Sequence, residues 1–255
     1  MELRTIVVLF AVYAAISLIA PRFLGNPALV SKRPGFVLWS WFICLGVAAV
    51  SLFAALVGLV GRALAQHVVE NNSARIVVPI LENIFGWIAL GVLGILVFRF
   101  GAALGELRSS RRTLSEQFAL LISQAQISEL FGHRVLIFDS PQTVLMAVPS
   151  AQCIMVSSHV VTTLSPELLK AALAHEQAHL DQHHGVIRAA GILAMAVAPG
   201  FSASERMAQA TRITTELLAD DAAAQQFSPH TVAQALKECF GESPLIDERV
   251  ARLKS

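Results

Sequence analysis

The stretch Phe36 to Val60 contains no charged side chain. It exceeds the about 20 predominantly apolar residues that cross a bilayer, so it constrains the fold before any other feature does. In hydrocarbon every backbone N–H and C=O must be satisfied within the segment, and a helix does this alone. Two further stretches meet the length criterion. Thr5 to Pro21 sits at its short end, and Ile76 to Phe98 carries Glu82 and Asn83 near one terminus, which either sit at the membrane interface, the expected placement, or face the bundle interior. The composition agrees: 55% of the 255 residues are hydrophobic and 15% are charged, too apolar for an ordinary soluble domain. Mean hydropathy is +0.62.

Thr5 to Pro21 reads as a retained span rather than a signal peptide. Glu2 accompanies Arg4 ahead of it, and Leu18-Ile19-Ala20 is not a small-residue cleavage site. Arg22, Lys32 and Arg33 lie between the first two spans, and Arg99, Arg108, Arg111 and Arg112 follow the third. Only Arg62 and Arg75 flank the intervening loop. The excess of Lys and Arg predicts the N-terminus outside and everything after Arg99 starting in the cytoplasm. A net charge of +1, with no basic cluster interleaved with aromatics, excludes a nucleic-acid footprint. Cys44, Cys153 and Cys239 have no paired spacing, so they read as buried thiols rather than disulfides or metal ligands.

Near Glu106 the character changes, which divides the chain into a transmembrane region, 1–105, and a second domain, 106–255. Leu114, Phe118, Leu121, Ile122, Ala125 and Leu130 recur at helical spacing and predict a helix over Arg111–Phe131, stopped at Gly132. Val135–Phe138, Thr143–Val148 and Cys153–Val156 are short apolar runs separated by turn residues, and predict a small antiparallel sheet. Ser165-Pro166-Glu167 is a helix start, with a capping hydroxyl, a proline at the first helical position and an acid in the first turn. The helix it opens is expected to reach Gly185. The tail from Phe227 to Ser255 reads as one or two helices without a recognisable motif. The predicted fold is therefore an α+β membrane protein, with three transmembrane helices ahead of a mostly helical domain.

On the Ser165 helix, His175 and His179 are four residues apart, so both imidazoles project from one face and can share one ion. Glu176 adjoins the first of them and can take a proton from a metal-bound water without being a ligand. Imidazole and carboxylate ligands with one open position favour zinc, one ion. Glu216 and Asp220 are again four apart, on a second helical pattern over Met207–Gln225. They would supply a third ligand and an aspartate that orients a ligand histidine. Asp221 is an alternative to Asp220, though only Asp220 stands one turn from Glu216. His183 and His184 are expected at solvent or headgroups, with His183 also a candidate oxyanion stabiliser. His67, His133, His159 and His230 have no spacing logic and read as structural or exposed.

These motifs carry a family resemblance. Ala147-Val148-Pro149 through Val156-Ser157-Ser158, then Leu164-Ser165-Pro166-Glu167-Leu168 into Ala174-His175-Glu176-Gln177-Ala178-His179-Leu180, resembles gluzincin-type membrane peptidases. Thr215 to Ala223 is similar to the glutamate helix of the BlaR/MecR antirepressor peptidase family, with HtpX-type proteases more distant. The similarity covers roughly Gln126 to Gln225 and the spans before it. It implies zinc held by His175, His179 and Glu216, Glu176 as general base and Asp220 in support. It further implies that the strand at Cys153–Ser157 pairs with an extended substrate. The large penicillin-binding sensor of the family's β-lactam receptors has no counterpart in this sequence, so antibiotic sensing by the chain itself is not expected.

Val186 to Phe201 is apolar but includes Arg188 and Pro199-Gly200. A single crossing there would put His179 and Glu216 on opposite sides of the membrane. It is therefore expected to lie on, or dip into, the bilayer surface as a helix over about 186–201. The expected activity is zinc-dependent hydrolysis of a protein or peptide at the cytoplasmic membrane face. The substrate is expected to be a transcriptional repressor, as in signalling, or a membrane protein, as in degradation, and the sequence does not separate the two. The rival reading is a membrane relay or scaffold with a structural or vestigial zinc site. Retention of Glu176 speaks against that rival, because a structural site needs ligands and not a base.

Overall fold

A computed structural model describes residues 1–68, 77–124, 126–197 and 202–254. Helix α1 (Leu3–Leu24) is followed by the short α2 (Pro27–Lys32) and by α3 (Pro34–Val68), whose 35 residues carry the uncharged run. Helix α4 spans Val77–Gln124 in 48 residues. Among the described residues, three helices are long and apolar enough to cross a membrane: Leu3–Leu24, Pro34–Ala65 and Ile80–Ser110. The third predicted span and the helix expected from Arg111 are one element, because nothing in the sequence between them breaks an α-helix. Ile76, where that span was expected to begin, lies outside the described residues.

The chain separates into two compact units. The first comprises Met1–Val30, Phe36–Glu106 and Gly191–Ala210. Within it, α3 and α4 approach closely at Gly86, where a Cβ would fall 2.2 Å from the Ala63 Cβ, so only glycine fits. Arg62 pairs with Glu82 at 2.5 Å between the same two helices. A second apolar cluster unites Ala20 and Leu24 of α1 with Val37 and Trp41 of α3, and with Ala194, Met207 and Ala210 further along the chain. Arg206 donates to the Pro21 carbonyl at 3.2 Å.

The second unit comprises Ser31–Gly35, Leu107–Ala190 and Thr211–Ser255. Strands β1 (Gln126–Leu130), β2 (His133–Phe138), β3 (Leu145–Val148) and β4 (Cys153–Ser157) form one sheet in the order β1-β2-β4-β3. The helix expected to run to Phe131 ends at Gln124, and its last predicted residues are β1. Phe131 (φ 52°) and Gly132 (φ 84°) both adopt positive φ, making the two-residue turn that brings Leu130 opposite His133. Gly132 thus closes a hairpin rather than stopping a helix.

The sheet is mixed rather than antiparallel: β2 and β4 run parallel, while β1–β2 and β3–β4 are antiparallel. The long return from β2 through β3 delivers β4 alongside β2 in the same direction. Strand β4 is consequently interior, with every residue buried and a neighbour on both sides. The expectation that Cys153–Ser157 pairs with a substrate fails for that reason. The free edge on that side is β3.

Beyond the sheet, α5 (Ser158–Thr163) leads to α6 (Pro166–Asp181), which Ser165 caps by accepting from the Leu168 N–H at 3.4 Å. Helix α6 stops at Gln182, short of Gly185. His183 takes φ +53°, and α7 (His184–Val197) starts at once. Helix α8 (Ser202–Ala224) follows, then α9 (Pro229–Phe240) and α10 (Pro244–Leu253) form the tail. Val135, Ile154 and Val156 of the sheet, Leu169 and Leu173 of α6, Val232 and Leu236 of α9, and Ile246 and Val250 of α10 make one buried core. That core holds α6 immobile from both sides, so the polar residues on its last two turns have a fixed origin.

Candidate metal site

Helix α6 contributes three groups to a cleft of about 550 Å³: His175, Glu176 and His179. His175 and Glu176 are buried, at 2% and 5% exposure. The i, i+4 spacing sets the two imidazoles with Nε2 atoms 3.2 Å apart and ring planes at 81°. From α8, Glu216 brings Oε2 to 3.6 Å from His175 Nε2 and Oε1 to 3.7 Å from His179 Nε2. His175, His179 and Glu216 thus form a group able to hold a metal ion, with one donor atom from each within 4.8 Å of the others.

Asp220, one turn beyond Glu216, is fully buried, with Oδ1 3.0 Å from His175 Nδ1. The approach is a close charge pair rather than an aligned hydrogen bond. Asp221 points elsewhere, pairing with Arg252 at 2.7 Å, and so is not the alternative to Asp220. Burial alone would lower the His175 pKa. The neighbouring Asp220 and Glu216 carboxylates outweigh it and lift His175 to about 9. Glu176 is raised above the ordinary carboxyl value, chiefly because burial penalises its charge. One of its oxygens accepts the Ala147 N–H of β3 at 2.7 Å.

Four contributors were not assigned to the site from the sequence. His184 was expected at solvent or headgroups, yet it is 1% exposed. The left-handed turn at His183 rotates the start of α7 inward, so that His184 Nδ1 stands 2.7 Å from His179 Nδ1 and its Nε2 3.1 Å from Gln182 Oε1. If His179 keeps its proton on Nδ1 and donates to His184, and His184 donates onward to Gln182, then His179 Nε2 carries a lone pair facing the cleft. Burial lowers His179 to about 3 and His184 to about 4, which agrees with neutral rings. His183 itself is exposed.

Arg249 on α10 forks onto Asp220 with bonds of 2.8 and 2.7 Å and reaches Glu216 Oε2 at 2.9 Å through Nη1. Arg188 on α7 donates to Thr215 Oγ1 at 3.0 Å and pairs with Glu216 Oε1. Burial tends to raise Glu216, but His175 and Arg249 hold its carboxyl well below the usual range. The fourth is the Ala147 N–H on Glu176. The one faint signal for these groups lies in the tail, where Arg249 and Arg252, three residues apart on one helix, meet Asp220 and Asp221. Comparison with protein-family models, with curated proteins and with solved structures gives no match.

Proposed function

We propose that the protein is an integral-membrane zinc metalloendopeptidase of the gluzincin type. The observation that carries the reading is the donor triangle of His175 Nε2, His179 Nε2 and the Glu216 carboxylate: the two Nε2 atoms are 3.2 Å apart, Glu216 Oε2 is 3.6 Å from His175 and Oε1 is 3.7 Å from His179, and one donor atom from each residue lies within 4.8 Å of the others. Tetrahedral zinc with bonds of about 2.0 to 2.2 Å separates its donors by about 3.3 Å. The residues therefore fit the ion, with two imidazoles and one carboxylate leaving a position open towards the cleft. When bound, zinc would supply Lewis acidity and a water that ionises near neutral pH.

The chain's own residues divide the remaining work. Glu176 is adjacent to the triangle without belonging to it. Its burial-raised pKa suits a group that removes a proton from water and returns it to the leaving amine. Asp220, fixed by Arg249, orients His175, and His184 orients His179. Edge strand β3 brings Met146 and Ala147 to the cleft wall, a place for an extended peptide to lie. Helix α7, at 14 residues and about 21 Å, is too short to cross a bilayer core of about 30 Å. This supports His179 and Glu216 sharing one side of the membrane. The Lys and Arg distribution makes that side cytoplasmic. The substrate would then be a polypeptide at that face, a repressor or a membrane protein.

The decisive comparison uses purified protein and its Glu176→Gln variant. Both are expected to bind about one zinc per chain, and only the native protein to cleave a casein-like or membrane-protein substrate. Undiminished cleavage by the variant refutes the mechanism, and absence of bound zinc in both refutes the site.

A further inference from the structure

The cleft beside the candidate metal site holds one guanidinium that no carboxylate among the described residues pairs. Arg188, Arg212 and Arg249 line it, against Glu176 and Glu216 as the lining carboxylates among the described residues. Arg249 is buried and committed to Asp220 and Glu216. Arg212 differs from it in every respect. It is exposed, it sits one helical turn before Glu216 on the same face of α8, and no ion pair joins it to any described residue. Glu216 does not serve as its partner, because its two oxygens already face Arg188 and Arg249. Arg188, with a side chain 39% exposed, pairs with Glu216, the same carboxylate that would hold the ion under the proposed function. A dication drawing on that carboxylate leaves Arg188 less neutralised than before.

From this charge arrangement we infer that Arg212, together with Arg188, forms a carboxylate-recognition site, so that the cleft takes peptides presenting a carboxylate close to the bond to be cut. The inference rests on the peptidase reading for what the cleft does, and adds the chemistry of what it selects. A guanidinium binds a carboxylate through paired N–H donors, which a lysine ammonium does not reproduce. Two sources offer that group: an Asp or Glu side chain, and the C-terminus of a chain.

The test uses full-length, zinc-loaded Glu176→Gln protein in nanodiscs and fluorescent decapeptides differing at one position walked along the sequence. Four forms are compared: Glu with an amidated end, Gln with an amidated end, Gln with a free carboxyl end, and Lys with an amidated end. The Glu form, the free-end form, or both are expected to bind about three- to tenfold more tightly than amidated Gln, with the margin shrinking as salt is raised. Which of the two gains identifies the source of the carboxylate. A second substitution, Arg212→Gln, should abolish the margin, and Arg212→Glu should turn it towards Lys. Equal affinity for all four forms overturns the inference, as does a margin unaffected by Arg212→Glu. The same peptides offered to protein with Glu176 intact separate the two claims. No cleavage, with an Arg212-dependent margin preserved, rejects the peptidase reading and leaves the recognition site standing. Equal binding with cleavage of every form does the reverse.

Discussion

Arg249→Met tests the polar support of the site most directly. Arg249 is 5% exposed, and its guanidinium makes two bonds to Asp220 and one to Glu216, while Asp220 has no exposed surface. Methionine preserves much of the volume and removes the charge, so the change leaves Asp220 buried with His175 as its remaining cationic neighbour at 3.0 Å. Breaking a buried pair from one side costs about 3–5 kcal/mol, because the other charge stays in low dielectric without compensation. For a chain of this size each kcal/mol moves the midpoint by about 2–4 °C, so the metal-free variant should melt on the order of 10 °C lower. Thermal unfolding in detergent, followed by circular dichroism, reads this shift. Adding Asp220→Asn to Arg249→Met should recover part of it, since the orphaned charge is then gone. Lys237→Ala is the control. It breaks a 3.9 Å pair with Asp247 in which both partners are well exposed, and such a pair contributes about 0–1 kcal/mol. An Arg249→Met midpoint within 2 °C of native, by the same order-of-magnitude reasoning, would refute the dependence of Asp220 on this guanidinium.

Two other variants probe different levels. His184→Ala removes the acceptor that holds His179, and zinc affinity measured by chelator competition should fall about 10- to 100-fold with the fold intact. An unchanged affinity would show that His179 needs no such partner. Ser165→Ala deletes the cap on the Leu168 N–H of α6 and should cost about 1 kcal/mol, read as a drop of a few degrees in the same melt. No change in midpoint would mean water replaces the hydroxyl without loss.

The features legible in the sequence are those set by short-range periodicity. A predominantly apolar run of sufficient length satisfies its backbone in hydrocarbon by forming a helix, and the three long apolar helices follow from that. The start of α6 is equally local, because a capping hydroxyl, a proline and an acid act within one turn. The one-turn spacing of His175 and His179, and of Glu216 and Asp220, follows from helix geometry alone.

What periodicity could not supply is which distant groups meet. The residues 125–131 continue a helical pattern, but a pair of left-handed residues at Phe131 and Gly132 lets β1 fold back on β2, and pairing with the sheet overrides local preference. Whether a short apolar run becomes an edge or an interior strand depends on its neighbours, which is why β4 is enclosed and β3 is not. The choice between Asp220 and Asp221 was decided by α10, whose Arg249 and Arg252 take one each. His184 was turned inward by one backbone angle at His183. Helical spacing in the sequence determined the donors each helix could offer. Packing of α6, α7, α8 and α10 around one core decided which of them are held together, since a buried charge persists only where a partner from elsewhere in the chain compensates it.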